Sequence, residues 1–223
     1  VPPTSLPSVT VNGRGDVLVV WATAGSAPRI HASRRLVSDS SFEAPLSVSL
    51  PGVRSDIHAA IGPNGDAAVA WVQPDAPGAG AGFTGRIDVA IRRATLPVWA
   101  TPETVAPAGT ANPDLAVAVD SASNVALAWT TLSASAGGPA TLDAATRSAV
   151  TSTWSPAPRL DTAAADGGES LDLDAVLAGG GRAYVTYEKR LNATTTLSLS
   201  TLPDPGCCSV DRCLWIGFDA RLT

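Results

Sequence analysis

A short segment recurs four times along the chain and limits its fold more than any other feature. Gly15-Asp16-Val17-Leu18-Val19-Val20-Trp21 returns as Gly65-Asp66-Ala67-Ala68-Val69-Ala70-Trp71, as Ser123-Asn124-Val125-Ala126-Leu127-Ala128-Trp129 and as Gly181-Arg182-Ala183-Tyr184-Val185-Thr186-Tyr187. The closing aromatics are 50, 58 and 58 residues apart. A second series, Phe42, Trp99, Trp154 and Trp215, follows them by 21, 28, 25 and 28 residues, so all six tryptophans fall into two registers. Repetition at this period is the mark of a structure assembled from stacked supersecondary units.

Each copy reads as four strands. The first alternates large apolar with small or polar residues, as in Leu115, Val117 and Val119, with equivalents at Ile57, Ala59, Ile61 and at Leu173, Ala175, Leu177. A turn rich in Gly, Asn, Asp and Ser follows, suited to a tight hairpin. The second strand ends on the first aromatic. A third is expected over residues 29–35, 86–93, 142–147 and 196–202, and a fourth from the second aromatic to Val48, Val105, Leu160 and Leu222. Pro45 and Pro102 fall inside that fourth strand, which places it at a sheet edge.

Eighteen Pro and twenty Gly, with no helix-length apolar periodicity, agree with an all-β chain. Four antiparallel strands per unit with a late aromatic describe one propeller blade, so the chain is expected to be a β-propeller of four four-stranded blades, at residues 6–50, 55–107, 113–162 and 170–223. A single domain in either of two forms meets this description, a closed four-bladed ring or an arc of a larger ring. A pair of β-sandwiches would also alternate, but it gives no reason for two tryptophan registers at one period.

The apolar strand, the Gly or Asn turn, the V-x-V-x-W strand, the strand ending in Arg and the W-x-x-P step resemble the repeat of bacterial secreted β-propellers of the sialidase-like, Asp-box type. The resemblance spans all four copies. The Asp box itself survives in degraded form: Ser209-Val210-Asp211-Arg212-Cys213-Leu214-Trp215 is one residue short and lacks the Gly, and Thr153-Trp154 keeps only the ending. Propellers of this kind usually have six or seven blades, against four here.

The remaining composition narrows the partners. A net charge of −5, free of like-charge blocks, gives no footprint for nucleic acid or an acidic membrane, and no apolar run approaches the roughly 18 residues needed to span a bilayer. Cationic residues are fourteen Arg and one Lys, a bias that fits a GC-rich bacterial genome. Cys207, Cys208 and Cys213 lie within seven residues, a spacing that suits a small disulfide-closed loop and hence export, with either vicinal cysteine able to reach Cys213. Starting at Val1 and containing no Met, the chain reads as a processed or excised piece.

Asp56, Asp114 and Asp172 stand nine residues before the turn Gly or Ser in three copies, at the entry of the innermost strand, where Leu6 is the fourth equivalent. Carboxylates converging on an axis can hold a Ca2+ ion or accept hydrogen bonds from sugar hydroxyls; each can instead cap the turn entering its strand. No other cofactor is indicated. Arg35, Arg92 and Arg147 form a second column, the residue type with which sialidases grip a carboxylate, or else solvated strand ends. Tyr187-Glu188 matches the Tyr and Glu couple of that family's nucleophile, with Tyr187 also the core aromatic of its blade. Arg14-Gly15-Asp16 spells an integrin tripeptide at a hairpin tip whose Gly the turn itself requires. His31 and His58 come from different blades and carry no triad or metal-ligand spacing. The Gly, Ala and Pro-rich loops at 73–85, with Phe83, and at 132–139 share one face and form a candidate ligand-binding surface.

The expected function is a secreted or cell-surface recognition or scaffold module, non-catalytic, binding a glycan or a protein. A sialidase-like glycoside hydrolase is the first alternative. A structural assembly subunit is the second, with a homodimer of eight blades as one form of it.

Overall fold

The structure, a computed structural model, describes residues 7–52, 54–75, 84–111, 114–131, 140–155, 159–162, 169–179, 182–191, 194–202 and 218–221. Sixteen strands and no helix occupy them. Sheet 1 holds β1 (Ser8–Val11), β2 (Val17–Ala22), β3 (Ile30–Arg35) and β4 (Leu46–Ser47), and sheet 2 holds β5 (Ser55–Ile61), β6 (Ala67–Pro74), β7 (Thr84–Arg92) and β8 (Glu103–Ala111). Sheet 3 holds β9 (Leu115–Val119), β10 (Val125–Thr131), β11 (Thr141–Arg147) and β12 (Arg159–Thr162). Sheet 4 holds β13 (Glu169–Gly179), β14 (Arg182–Leu191), β15 (Thr194–Leu202) and β16 (Phe218–Arg221). Within every sheet the spatial order is the sequence order and the pairing is antiparallel, the meander of a propeller blade.

The first hairpin of each blade is built by its turn chemistry. Gly15, Gly65 and Ser123 occupy one repeat position with φ of 91°, 85° and 69°, a region that glycine enters freely and that serine tolerates at some cost. The carboxamide or carboxylate oxygen of Asn12, Asn64 and Asp120 accepts the backbone amides that the turn leaves unpaired. Directly after the positive-φ position, the side chains of Asp16, Asp66 and Asn124 accept the amides of Val37, Ala94 and Ala149, tying the first hairpin to the end of the third strand. Asp16 is thereby buried, so the Arg14-Gly15-Asp16 tripeptide offers no carboxylate to a partner.

The sheets stack as wedges. Leu18, Val20, Ile30 and Ala32 of sheet 1 pack on Ala67, Val69 and Trp71 of sheet 2. Ala68, Ala70, Ile87 and Val89, on the other face of sheet 2, meet Val125, Leu127 and Trp129 of sheet 3. Ala126, Ala128, Leu142 and Ala144 of sheet 3 then meet Ala183, Val185 and Tyr187 of sheet 4. Each blade sets its aromatic face against the small-residue face of the blade before it, as the period-two alternation of the second strand demands. Tyr187 is 5% exposed, a core residue like the tryptophans it replaces. The inner strands touch in the order β1, β5, β9, β13, and among the described residues β13 makes no comparable contact with β1. Four sheets enclosing three apolar cores form an arc, not a closed four-bladed ring.

Two expectations are corrected. The fourth strand starts after the second aromatic, not at it: Phe42 and Trp99 precede β4 and β8, and Trp154 makes one isolated bridge to Arg147. Pro45 and Pro102 consequently sit just outside the ladder, because a residue with no N–H cannot open it. Pro107 does lie in β8, where the pairing with β7 loses register between Gly85 and Ile87.

Candidate functional site

The inner strands line the axis of the arc, and their entry ends carry the expected carboxylates. Asp56 is the second residue of β5 and Asp114 precedes β9 directly. In β5 the register against β6 shifts between Ser55 and His58, and Asp56 takes a left-handed φ of 48° at that bulge. His58 Nε2 lies 2.9 Å from Asp56 Oδ1. Together with Asp114 they form one cluster whose ligand atoms are within 4.8 Å of one another. The bulge interrupts the two-residue alternation of the strand and re-aims Asp56, so its approach to His58 belongs to the local backbone and not to the spacing alone. Sequence reasoning set His58 aside because it sought a triad spacing instead.

The electrostatics of the cluster are mutual. Burial works against a charged His58, but the Asp56 hydrogen bond and the charges of Asp56 and Asp114 outweigh it and raise the imidazole above its ordinary value. Burial and the neighbouring Asp56 charge push the Asp114 carboxyl up, opposed by His58 and by the amides of Leu173 and Leu115. The amide of Leu173 belongs to β13, so Asp114 also bridges sheets 3 and 4. Its own backbone amide donates to the hydroxyl oxygen of Thr130. Asp56 Oδ2 is enclosed with no hydrogen-bond donor among the described residues, beside a second carboxylate.

Asp172 faces Glu188 in the β13–β14 ladder, but its side chain, like Phe83 and Cys207, Cys208 and Cys213, lies outside the described residues. Of the three aspartates, the described side chains bring together Asp56 and Asp114. Two carboxylates and an imidazole already bonded to one of them make a mixed nitrogen and oxygen set, whereas calcium takes six to eight oxygens.

The arginine column is drawn to a different use. Arg92 is 3% exposed and forms a bidentate ion pair with Glu43 of the preceding sheet. Arg147 does the same with Glu103, Nε to Oε2 at 2.9 Å and Nη2 to Oε1 at 2.8 Å, and Trp154 Nε1 donates to that same glutamate at 2.8 Å. These arginines are intersheet clamps, neither solvated strand ends nor a cluster at the axis. A planar guanidinium fits a carboxylate side-on, which is what a seam between two twisted sheets can offer.

No family model matches the chain, and no curated protein resembles it in sequence. Its fold is similar to several solved structures. The Hadza microbial sialidase Hz136 superimposes with a TM-score of 0.58 at 11% identity over 96% of this chain and 46% of that one. An ulvan lyase of polysaccharide lyase family PL25, bound to a GlcA–Rha3S saccharide, gives 0.55 at 10% identity over 96% and 57%. The Penicillium chrysogenum α-L-arabinanase, complexed with arabinobiose, gives 0.53 at 13% identity over 100% and 67%. The chain spans about half the length of the first two.

Proposed function

We propose that the chain is a glycan-binding propeller, and that the axial cluster of Asp56, His58 and Asp114 receives the hydroxyl groups of a neutral saccharide. The observation that carries this reading is the convergence of these three side chains from two blades, with Asp56 Oδ2 left without a donor among the described residues. Vicinal hydroxyls donate to carboxylates and accept from an imidazole N–H, the groups that the cluster brings together. Arg92 and Arg147, which would have served an acidic sugar, are held by glutamates. The sialidase, ulvan lyase and arabinanase likenesses support a saccharide ligand as a class. The close spacing of three cysteines supports a secreted or cell-surface location.

A glycan array probed with the chain tests the reading. Binding to neutral oligosaccharides, lost in Asp56→Asn and His58→Ala variants that retain the β-sheet spectrum, is expected. Binding indifferent to both substitutions overturns it.

The second reading is a glycoside hydrolase, favoured by the carboxyl of Asp114, raised above its ordinary value, standing beside that of Asp56, since retaining and inverting glycosidases use one carboxyl as general acid and a second as carboxylate. Turnover of aryl glycosides abolished by Asp114→Asn would establish it over simple binding.

A further inference from the structure

Donor atoms of two kinds meet where the inner strands of sheets 2 and 3 begin. Asp56 and His58 reach the point from β5, and Asp114 reaches it from the entry of β9, each with a ligand atom within 4.8 Å of the other two. The set is two carboxylate oxygens and one imidazole nitrogen. Carboxylates alone suit calcium or magnesium, whereas an imidazole nitrogen beside them moves the preference to first-row transition ions such as zinc.

The distances suit such an ion. Two ligands at right angles around a metal about 2.0–2.1 Å away lie about 2.9 Å apart. His58 Nε2 and Asp56 Oδ1 already stand 2.9 Å apart, so a cation can take the place of the proton they share and release it to solvent. The second oxygen of Asp56, Oδ2, points independently to a ligand: it is enclosed and has no donor among the described residues. A carboxylate oxygen kept from water in this way is costly, and a cation supplies the partner it lacks. Asp114 is supported from behind, its carboxyl accepting the amides of Leu115 and Leu173, as ligating carboxylates commonly are.

We infer that Asp56, His58 and Asp114 together bind one divalent transition-metal ion of the zinc kind at the entry of β5 and β9. Three protein ligands leave at least one coordination position open, as in zinc sites that hold a water or a substrate oxygen there. Occupation of that position by a saccharide hydroxyl rests on the glycan reading; uptake of the ion does not.

Calorimetric titration of the chelator-stripped chain with zinc chloride, with no saccharide present, is expected to show binding at this cluster. His58→Ala and Asp56→Asn should each weaken it by more than the roughly 10–100-fold that loss of an outer-sphere partner costs. Cys207, Cys208 and Cys213 also offer zinc ligands, so cobalt(II) is titrated in parallel. The cluster should give visible ligand-field bands without sulfur charge transfer, and those bands should vanish in His58→Ala. Where His58→Ala does not fold by circular dichroism, His58→Gln replaces it. A chain that takes up no zinc, a cobalt spectrum of thiolate ligation alone, or binding unchanged in both variants overturns the inference. Zinc held by the cluster in a chain that binds nothing on a glycan array supports the ion site and overturns the glycan reading.

Discussion

Replacing the same repeat residue in two blades separates the stacked-wedge account from one in which each aromatic supports only its own sheet. Trp71 and Trp21 occupy one position; Trp71 is 1% exposed against sheet 1, and Trp21 is half-buried and stacked on His31 with centroids 6.0 Å apart. Truncating an enclosed tryptophan removes its transfer free energy and leaves a cavity, about 3–5 kcal/mol for Trp→Ala. Trp21→Ala in a dilute monomer loses only the area it shields within its own sheet and leaves no closed cavity, about 1–2 kcal/mol by area. The expected difference, about 2–3 kcal/mol, moves a urea midpoint by about 1 M or more at the slopes usual for domains of this kind. Far-UV circular dichroism is the readout, since it does not depend on indole fluorescence. Equal costs at the two positions would refute the packing argument.

The axial cluster makes stability depend on pH. His58 is raised above its ordinary 6.5, so its contribution is complete below that value and is lost as the pH rises through the folded-state value; His58→Gln should flatten the loss in a melting series across that range. Asp66 is lowered despite its burial, by hydrogen bonds from Ser123, the Ala94 amide and Arg93. Its contribution is therefore present above 3.8 and lost in acid as the pH falls through the folded-state value, a limb that Asp66→Asn should remove. Arg92→Ala should cost about 1.5–3 kcal/mol, because Glu43 loses a charge-assisted partner at a seam, and a change within error in a denaturant series would show the clamp to be idle. Millimolar calcium is expected to leave the melting temperature unmoved, and a rise of several degrees would mean that Asp172 completes an oxygen cage with Asp56 and Asp114.

The fold was legible because the period of the second strand and the two aromatic registers are direct consequences of stacking. A sheet buried on both faces needs Ala or Leu at one parity and Val with Trp at the other, as in Ala68, Ala70 against Val69, Trp71. What the parity does not contain is whether the last face meets the first. Val17 and Val19 have the same composition as their buried equivalents, so the sequence of sheet 1 reads as a covered blade while the structure leaves it open. The proline positions misled for a related reason: aromatic spacing marks where the chain returns to the sheet, and the ladder begins only where an amide is free to donate.

The site was read half correctly, and the two halves differ in range. The convergence of Asp56 and Asp114 follows from repeat symmetry, since equivalent residues of neighbouring wedges must approach at the axis. His58 breaks that symmetry, having Ala116 and Asp174 at the matching places, so a search for columns passes over it. The arginine column shows the converse. Its symmetry was visible, but its direction was not, because whether a strand-end guanidinium turns to solvent or into a seam depends on a glutamate in another blade. Glu43 and Glu103 stand at different steps relative to the second aromatic, directly after Phe42 and four residues after Trp99. Repeat arithmetic therefore finds the clamps only on one side.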